Sequence, residues 1–278
     1  MNSISKSAAA LFLASILVSA CGTDGDSGEL PDGSVAGSPD AEVGPETIRM
    51  YVHTRDTLYR IDNQNFALLE VGPFNAPNEE FMTDLAITPN GEIYTISSST
   101  GDTKSALWKI NADSGQATKV ADVGEVGLAP NVGMTFLIDG TLLATDKEGG
   151  VRKIDPVTGA VEEIGEFGSG YATAGDLVAV DDGRMFAISD MGGNYSNPET
   201  NNILITINTE TGALISDIGQ IGWGRVFGTA VANNKIYAFT DEGYVIEINP
   251  STGVGTERAL YSDTRFWGAG VTPRAAID

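Results

Sequence analysis

The stretch Asp84–Val120, DLAITPNGEIYTISSSTGDTKSALWKINADSGQATKV, predicts four short strands separated by turn residues. Pro89-Asn90-Gly91 is a tight-turn sequence, because Gly tolerates a positive φ. The segments around it are apolar or alternate in polarity, as β-strands do. The same unit then recurs along the chain, and a recurring unit indicates fold class better than any single propensity does.

The third strand and its turn recur most clearly. Their shared core is Ile-(Asp/Asn)-x-x-(Ser/Thr)-Gly, in which the Asp or Asn can accept a hydrogen bond from the backbone two residues on and the Gly closes the turn in a left-handed conformation. The first copy has Phe66 in place of the Gly, which predicts a looser turn. The five copies are LYRIDNQNF from Leu58, LWKINADSG from Leu107, VRKIDPVTG from Val151, LITINTETG from Leu204 and VIEINPSTG from Val245.

The first and second strands also recur, and their copies at the two chain ends are complementary. A second-strand copy, RMYVHT, begins at Arg49 with no first strand before it, and a first-strand copy, GAGVTP, begins at Gly268 with no second strand after it. The other second-strand copies begin at Glu92, Thr141, Arg184 and Lys235, and the other first-strand copies at Asp84, Gly133, Asp176 and Gly228.

These patterns predict an all-β fold, a five-bladed β-propeller of four-stranded antiparallel blades. The strand from Gly268 would be innermost in a blade that also holds Arg49–Thr54, Leu58–Asp62 and Ala67–Val71, and this shared blade would close the ring and remove its open edge. The repeats begin about 45 residues apart, within the range of propeller blades. Six or seven blades are the main alternative, but 48–278 leaves no unassigned stretch long enough for another blade.

The first twenty residues have the features of a bacterial signal peptide. Lys6 precedes an apolar run, Ala8–Val18, and small residues lead to Cys21, the only cysteine of the sequence. Val-Ser-Ala-Cys resembles a lipobox, which implies cleavage before Cys21 and a membrane anchor of two or more acyl chains on it. An ordinary secretory peptide is the alternative interpretation. By resemblance to enterobacterial sorting, Gly22 after the cysteine favours the outer membrane.

Residues 21–47 are predicted to be the lipidated cysteine and a disordered acidic tether, because they are rich in Gly, Ser, Pro and Asp and contain no aromatic residue. Residues 48–278 are predicted to form one propeller domain. The whole chain has a net charge of −22. This argues against nucleic acid as a partner and leaves cationic partners or metal ions open.

Few residues are candidates for catalysis. His53 is the single histidine, and we interpret it as a residue that packs between blades. Asp84 and Asp176 occupy the same repeat position at the start of an innermost strand, where Gly133, Gly228 and Gly268 would leave room. Two acids at the channel mouth could bind a divalent cation such as calcium, or act on a sugar. The competing interpretation is that each acid caps the backbone of its own loop.

Aromatic residues lie beside the same strand starts, notably Tyr171, Trp223 and Trp267, with Phe81 and Phe266. They could stack on sugars or anchor a protein, or they could pack between blades. Two long connections, Phe74–Phe81 and Met191–Asn202, offer further surface for binding, although they are equally consistent with surface loops that have no function.

The sequence of strand, turn and strand in Asp84–Thr95 and the turn Ile154–Gly159 resemble the bacterial NHL, YVTN and PQQ-type propeller repeats and generic secreted propeller lipoproteins. The resemblance covers nearly all of 48–278 and implies fold, not activity. The tryptophan docking signature of the quinone enzymes is missing, so no cofactor is carried over. Lactonase and lyase propellers need sets of metal-ligating residues or of histidines, and the single histidine His53 cannot supply such a set in full.

Two functions therefore stay open, besides a purely architectural envelope protein, which would bind no ligand. The first is a lipid-anchored binding module of the cell envelope for a protein or glycan partner. The alternative is a metal-assisted hydrolase or lyase that uses Asp84 and Asp176.

Overall fold

The computed structural model describes residues 49–77, 80–99, 105–123, 131–191 and 201–277. No helix within these ranges is long and apolar enough to cross a membrane. The strands are β1 (Met50–His53), β2 (Thr57–Ile61), β3 (Leu68–Pro73), β4 (Glu80–Ile87), β5 (Ile93–Ser99), β6 (Ser105–Ile110), β7 (Ala117–Val123), β8 (Asn131–Phe136), β9 (Leu142–Asp146), β10 (Gly150–Ile154), β11 (Val161–Glu166), β12 (Tyr171–Ala179), β13 (Met185–Met191), β14 (Ile203–Ile207), β15 (Leu214–Gln220), β16 (Val226–Ala232), β17 (Lys235–Thr240), β18 (Tyr244–Ile248), β19 (Gly255–Leu260) and β20 (Gly268–Gly270).

The strands form five antiparallel sheets of four strands each, which confirms the predicted blades. Four of the sheets are consecutive runs that begin with β4, β8, β12 and β16, and the fifth has the order β20-β1-β2-β3. The first strand of each sheet contacts the first strand of the next, in the order β4, β8, β12, β16, β20 and back to β4. The fold is therefore a closed five-bladed β-propeller.

The two ends of the described chain close the ring as predicted. Strand β20 pairs antiparallel with β1, with Val52 opposite Ala269 and His53 opposite Gly268. Because this pairing gives β1 an inner neighbour, the shared blade has the same four strands as the others and no unpaired inner edge.

The recurrent turns form through their Asp or Asn side chains. In the second blade Asn111 Oδ1 accepts hydrogen bonds from the backbone N–H groups of Asp113 and Ser114 at 2.9 and 3.0 Å, and Gly115 follows with φ of +75°. The expectation of a looser first turn is wrong. Asp62 makes the same two hydrogen bonds at 2.8 and 2.9 Å, and Phe66 itself adopts φ of +59°.

Contacts with neighbouring rings explain why Phe66 is tolerated there. Its ring packs edge-on against Tyr237, with centroids 5.4 Å apart, and its carbonyl accepts a hydrogen bond from the Tyr261 hydroxyl. These contacts offset the cost of a left-handed non-Gly residue, which is about 1 to 3 kcal/mol.

Each innermost strand except the short β20 contains an irregularity just before the equivalent position of the repeat. The pairing register shifts between Met82 and Asp84 in β4, and it shifts at the corresponding places in β8, β12 and β16. Such bulges bend a strand and redirect its side chains. Here they separate a tightly packed section of the axis from a wider section at the strand starts.

The structure describes nothing of residues 1–48, so the predicted signal peptide (1–20), the lipidated Cys21 and the tether (21–47) lie outside the described residues. Most of the predicted Met191–Asn202 insertion, residues 192–200, lies outside them too. All the described strands fall within the predicted 48–278 domain.

Candidate binding site at the channel mouth

Asp84 lies on β4 and is completely buried. Its Oδ2 accepts a hydrogen bond from the backbone N–H of Met134, on the innermost strand of the next blade, at 2.7 Å. Among the described residues its Oδ1 has no partner at normal hydrogen-bond geometry, although the Asp176 carboxyl and the backbone N–H of Leu85 both interact with the Asp84 carboxyl. The carboxyl group thus links two neighbouring blades, instead of capping its own loop as the competing interpretation expected.

Asp176 repeats this arrangement two blades further on and is also completely buried. Its Oδ2 accepts a hydrogen bond from the backbone N–H of Thr229, on the next innermost strand, at 2.6 Å. Its Oδ1 is 2.5 Å from the backbone N–H of Leu177, which donates to it. Both oxygens of Asp176 therefore have backbone donors at hydrogen-bond distance, whereas among the described residues only Oδ2 of Asp84 makes a hydrogen bond of normal geometry.

The two carboxyl groups interact with each other across the axis. Burial raises the pKa of Asp84 well above its ordinary value, and the charge of Asp176 raises that pKa further. Burial also raises the pKa of Asp176, to about 7, although hydrogen bonds from Asp84 and from the backbone of Thr229 and Leu177 oppose the rise. Since both groups resist ionisation, the pair holds a proton at neutral pH.

His53 lies beside this pair, with no exposed surface. Its Nδ1 is 2.7 Å from the carbonyl oxygen of Thr54, and because a carbonyl only accepts, Nδ1 carries the proton and Nε2 is an acceptor. Burial lowers the pKa of His53 to about 4. Its ring packs edge-on against Phe74, with centroids 5.7 Å apart, which agrees with a packing role.

The glycines around the pair do not leave the room that the sequence suggested. A Cβ on Gly268 would lie 2.4 Å from His53 Nε2 and 2.5 Å from Asp84 Oδ1. One on Gly133 would lie 2.6 Å from the carbonyl oxygen of Gly175. The expectation of open space is wrong because the innermost strands of a five-bladed ring approach one another closely, so glycine is needed there to avoid overlap.

Asp84 and Asp176 therefore lie in a closed section of the axis. Within the described ranges, no group of three or more His, Cys, Asp or Glu side chains is arranged to hold a metal ion. The binding of a divalent cation such as calcium by this pair stays a prediction.

A cavity of about 320 Å³ lies where the bulged strand starts come together. Thr83 and Gly175 line it and are the chain neighbours of Asp84 and Asp176, so the buried pair lies next to its wall. A concave site of this size is within the range of small-ligand sites. Its described lining residues are Phe81, Thr83, Ser98, Ser99, Val132, Thr173, Ala174, Gly175, Phe227 and Trp267.

Trp267 is the predicted site residue that lines this cavity. It is half-buried and meets Phe81 edge-to-face, with centroids 5.6 Å apart and ring planes at 83°. The guanidinium of Arg55 lies 5.2 Å from the centroid of the Phe81 ring. Phe81 and Trp267 therefore form one aromatic corner of the cavity, against which the Arg55 guanidinium packs.

Two other predicted site residues lie away from the cavity. Trp223 packs on Tyr244, with centroids 4.7 Å apart. The hydroxyl of Tyr171 donates a hydrogen bond to Asp217 Oδ2 at 2.6 Å, on the exposed outer part of the same blade. The structure therefore does not bring these two side chains together with Trp267.

The sequence did not single out Val132, Phe227, Ser98 or Thr173 as site residues, although all four line the cavity. Val132, Phe227 and Thr173 lie at or next to the register shifts. These three residues lie one to three positions before Gly133, Asp176 or Gly228. In a regular strand, side chains at successive positions would point alternately to the two faces of the sheet. A bulge breaks this alternation, so the pattern alone does not show which side chains point to the axis.

Comparison with known proteins supports the fold and goes no further. No family model matches the chain, and no curated protein matches it. Among solved structures, a chain in "Crystal structure of Nidogen/Laminin Complex" has 11% identity and a TM-score of 0.56, with 82% of this chain and all of that chain covered. A protein of unknown function from Bacteroides caccae also has 11% identity, with a TM-score of 0.44, and 81% and 98% of the two chains are covered.

Proposed function

We propose that this protein is a lipid-anchored binding module of the cell envelope, which holds a protein or glycan partner at the mouth of the propeller channel. The cavity beside Trp267 is the observation that carries the proposal. It combines a half-buried aromatic corner with a rigid scaffold, and aromatic anchors in concave sites dominate the energy of many interfaces. A chain of this fold in a structure titled as a nidogen/laminin complex is compatible with such a role.

The anchor is a separate part of the proposal and rests on the sequence. Cys21 follows a signal-peptide pattern and is the only thiol of the chain. Two or more acyl chains on it would hold the protein stably at a membrane, and Gly22 favours the outer membrane. The acidic residues 22–47 would then be a spacer between lipid and propeller.

A capture experiment tests the binding role. The full-length processed protein is immobilised and exposed to envelope extract and, separately, to a glycan array. Trp267→Ala should abolish specific capture because it removes half of the aromatic corner. Trp223→Ala is the matched control, since it removes a half-buried tryptophan outside the cavity, and it should capture normally. Equal capture by both variants would show that the channel mouth is the wrong site.

A labelling experiment tests the anchor. Radiolabelled palmitate should enter the wild type and not Cys21→Ser, because serine offers no thiol for lipidation. The wild type should fractionate with outer membranes. Equal labelling of both proteins would overturn the lipobox interpretation without affecting the binding role.

The alternative of a metal-assisted hydrolase or lyase receives no support from the described side chains. Catalytic carboxylates must reach substrate, and both Asp84 and Asp176 are completely buried and accept hydrogen bonds from the backbone. Their arrangement accounts for the packing of neighbouring blades, so the binding module is the function that we propose.

A further inference from the structure

The chemistry of the cavity lining limits what can enter it. Among the described residues that line it, none carries a charge or a side-chain amide. Its large apolar lining residues are Phe81, Trp267, Phe227 and Val132. A charged group would lose its hydration here without gaining a partner, which is costly.

The volume indicates how large the entering group is. A cavity of about 150 Å³ accepts a single benzene ring, and this one measures about 320 Å³. One aromatic ring with substituents therefore fits. Rings that meet edge-to-face or offset gain about 0.5 to 1.5 kcal/mol beyond the burial of their area, and the corner formed by Phe81 and Trp267 offers both a face and an edge.

Four hydroxyl side chains belong to the described lining, and two of them are buried in its wall. Ser98 and Thr173 line the cavity and are 5% and 1% exposed. Among the described residues, neither Ser98 Oγ nor Thr173 Oγ1 has a hydrogen-bond partner. A buried hydroxyl without a partner costs about 1 to 3 kcal/mol. Both oxygen atoms have under 1 Å² of exposed surface, so a ligand hydroxyl pairs with them when the side chain turns toward the cavity, and the pairing then removes a cost that the free protein carries.

From these observations we propose that the cavity binds an uncharged aromatic ring that carries a hydroxyl group, with the ring against Trp267 and the hydroxyl at the Ser98 and Thr173 wall. This rests on the proposed function and names the chemistry of its site. A sugar fits less well, because its ring has hydroxyl groups on every edge and the described lining offers only four hydroxyl side chains to pair with them.

The same ring has two sources, a tyrosine side chain of a protein partner or a free phenolic compound. The experiment therefore compares p-cresol with N-acetyl-tyrosinamide. Binding of the amide as tight as that of p-cresol supports the proposal and assigns the ring to a protein side chain. Binding of p-cresol alone supports the proposal and assigns it to a free compound, because the peptide backbone is then excluded.

Affinities are measured on the full-length protein by ligand-observed NMR and calorimetry, with toluene, choline and methyl glucoside as comparison probes. We expect p-cresol to bind roughly tenfold more tightly than toluene, because only p-cresol has a hydroxyl group. Choline and methyl glucoside should bind more weakly than either.

Single substitutions separate the contribution of the aromatic ring from that of the hydroxyl groups. Trp267→Ala should weaken p-cresol binding roughly tenfold, and Trp223→Phe, outside the cavity, should leave it unchanged. Thr173→Val keeps the side-chain shape and should reduce the preference for p-cresol over toluene, with Ser98→Ala as a second variant should Thr173→Val not fold.

Three results would overturn the proposal. They are absence of p-cresol binding to the folded wild type, equal affinity in Trp267→Ala, and tighter binding of choline or methyl glucoside. Tighter binding of the glucoside would leave the proposed binding module intact with a glycan as its partner. Conversely, p-cresol binding without capture of any macromolecule would support this chemistry and contradict the proposed function.

Discussion

Asp84 and Asp176 occupy the same position in two repeats, but their surroundings differ. Each carboxyl group accepts a hydrogen bond from a backbone N–H on the innermost strand of the next blade. The donor is Met134 for Asp84 and Thr229 for Asp176. The second oxygen of Asp176 also accepts a hydrogen bond from a backbone N–H, whereas the second oxygen of Asp84 has no hydrogen bond of normal geometry among the described residues and lies, like His53 Nε2, beside Gly268. The repeat position thus determines where the side chain goes, and its surroundings determine how many backbone donors reach it.

Filling the space between Asp84 and His53 should have the largest effect. A Cβ on Gly268 would lie 2.4 Å from His53 Nε2 and 2.8 Å from Asp84 Cα, so Gly268→Ala must move the closing strand. We expect a loss of about 3 kcal/mol in the free energy of unfolding, measured with urea.

Gly91→Ala is the control for this substitution. Gly91 has φ of +85° and nothing near its missing Cβ, so it should lose only about 1 kcal/mol, through backbone strain. A similar loss for both variants would mean that the contacts at Gly268 do not matter.

Amide substitution should separate the two aspartates. In Asp176→Asn the side-chain NH₂ faces one of two backbone donors, so an N–H loses its acceptor and stability should fall by about 2 kcal/mol. In Asp84→Asn the amide oxygen still accepts from Met134 and the NH₂ can donate to the Asp176 carboxyl, so the loss should stay under about 1 kcal/mol. Equal losses in urea unfolding would contradict the difference drawn between the two sites.

The pH dependence of stability should follow from the same pair. The folded-state pKa of each carboxyl is raised, so its contribution is fully present below the unfolded pKa near 4 and is lost as pH rises through the folded value, about 7 for Asp176. The side chain introduced by Asp84→Asn does not titrate. The stability of this variant relative to the wild type should therefore rise between roughly pH 5 and pH 8, by about 1.4 kcal/mol per pH unit at most.

Asp182→Asn is the control for the pH measurement. Hydrogen bonds from Arg184 lower the pKa of Asp182, so its contribution is present above the unfolded pKa and is lost as pH falls through the folded one. Its relative stability should not change between roughly pH 5 and pH 8. A rise like that of Asp84→Asn would show that the trend does not come from the buried pair.

The smallest effect is expected at Tyr171, which begins the same strand as Asp176. Its hydrogen bond to Asp217 is exposed, so Tyr171→Phe should change the free energy of unfolding by less than about 0.5 kcal/mol and leave capture of a partner unchanged. Loss of capture in this variant would extend the binding site to the outer part of the blade.

The sequence by itself determined the fold of the described residues. Five copies of one turn core, with complementary half-repeats at Arg49 and Gly268, indicated five blades and their closure. Those signals are local, because each turn forms through a side chain that bonds to backbone two or three residues on. The sequence also predicted that Trp267, which lines the cavity, lies near the strand starts, and that Asp84 and Asp176 occupy equivalent repeat positions.

The tertiary structure alone decided what surrounds these residues. Nothing local shows that Gly268 is wedged between His53 and Asp84, or that Asp176 accepts from Thr229, because these contacts join different blades. Val132, Phe227 and Thr173, at or next to the bulges of three innermost strands, likewise meet at one cavity, and Trp223 is not part of its described lining. Repeat periodicity is a property of one blade, whereas the site forms where five blades meet.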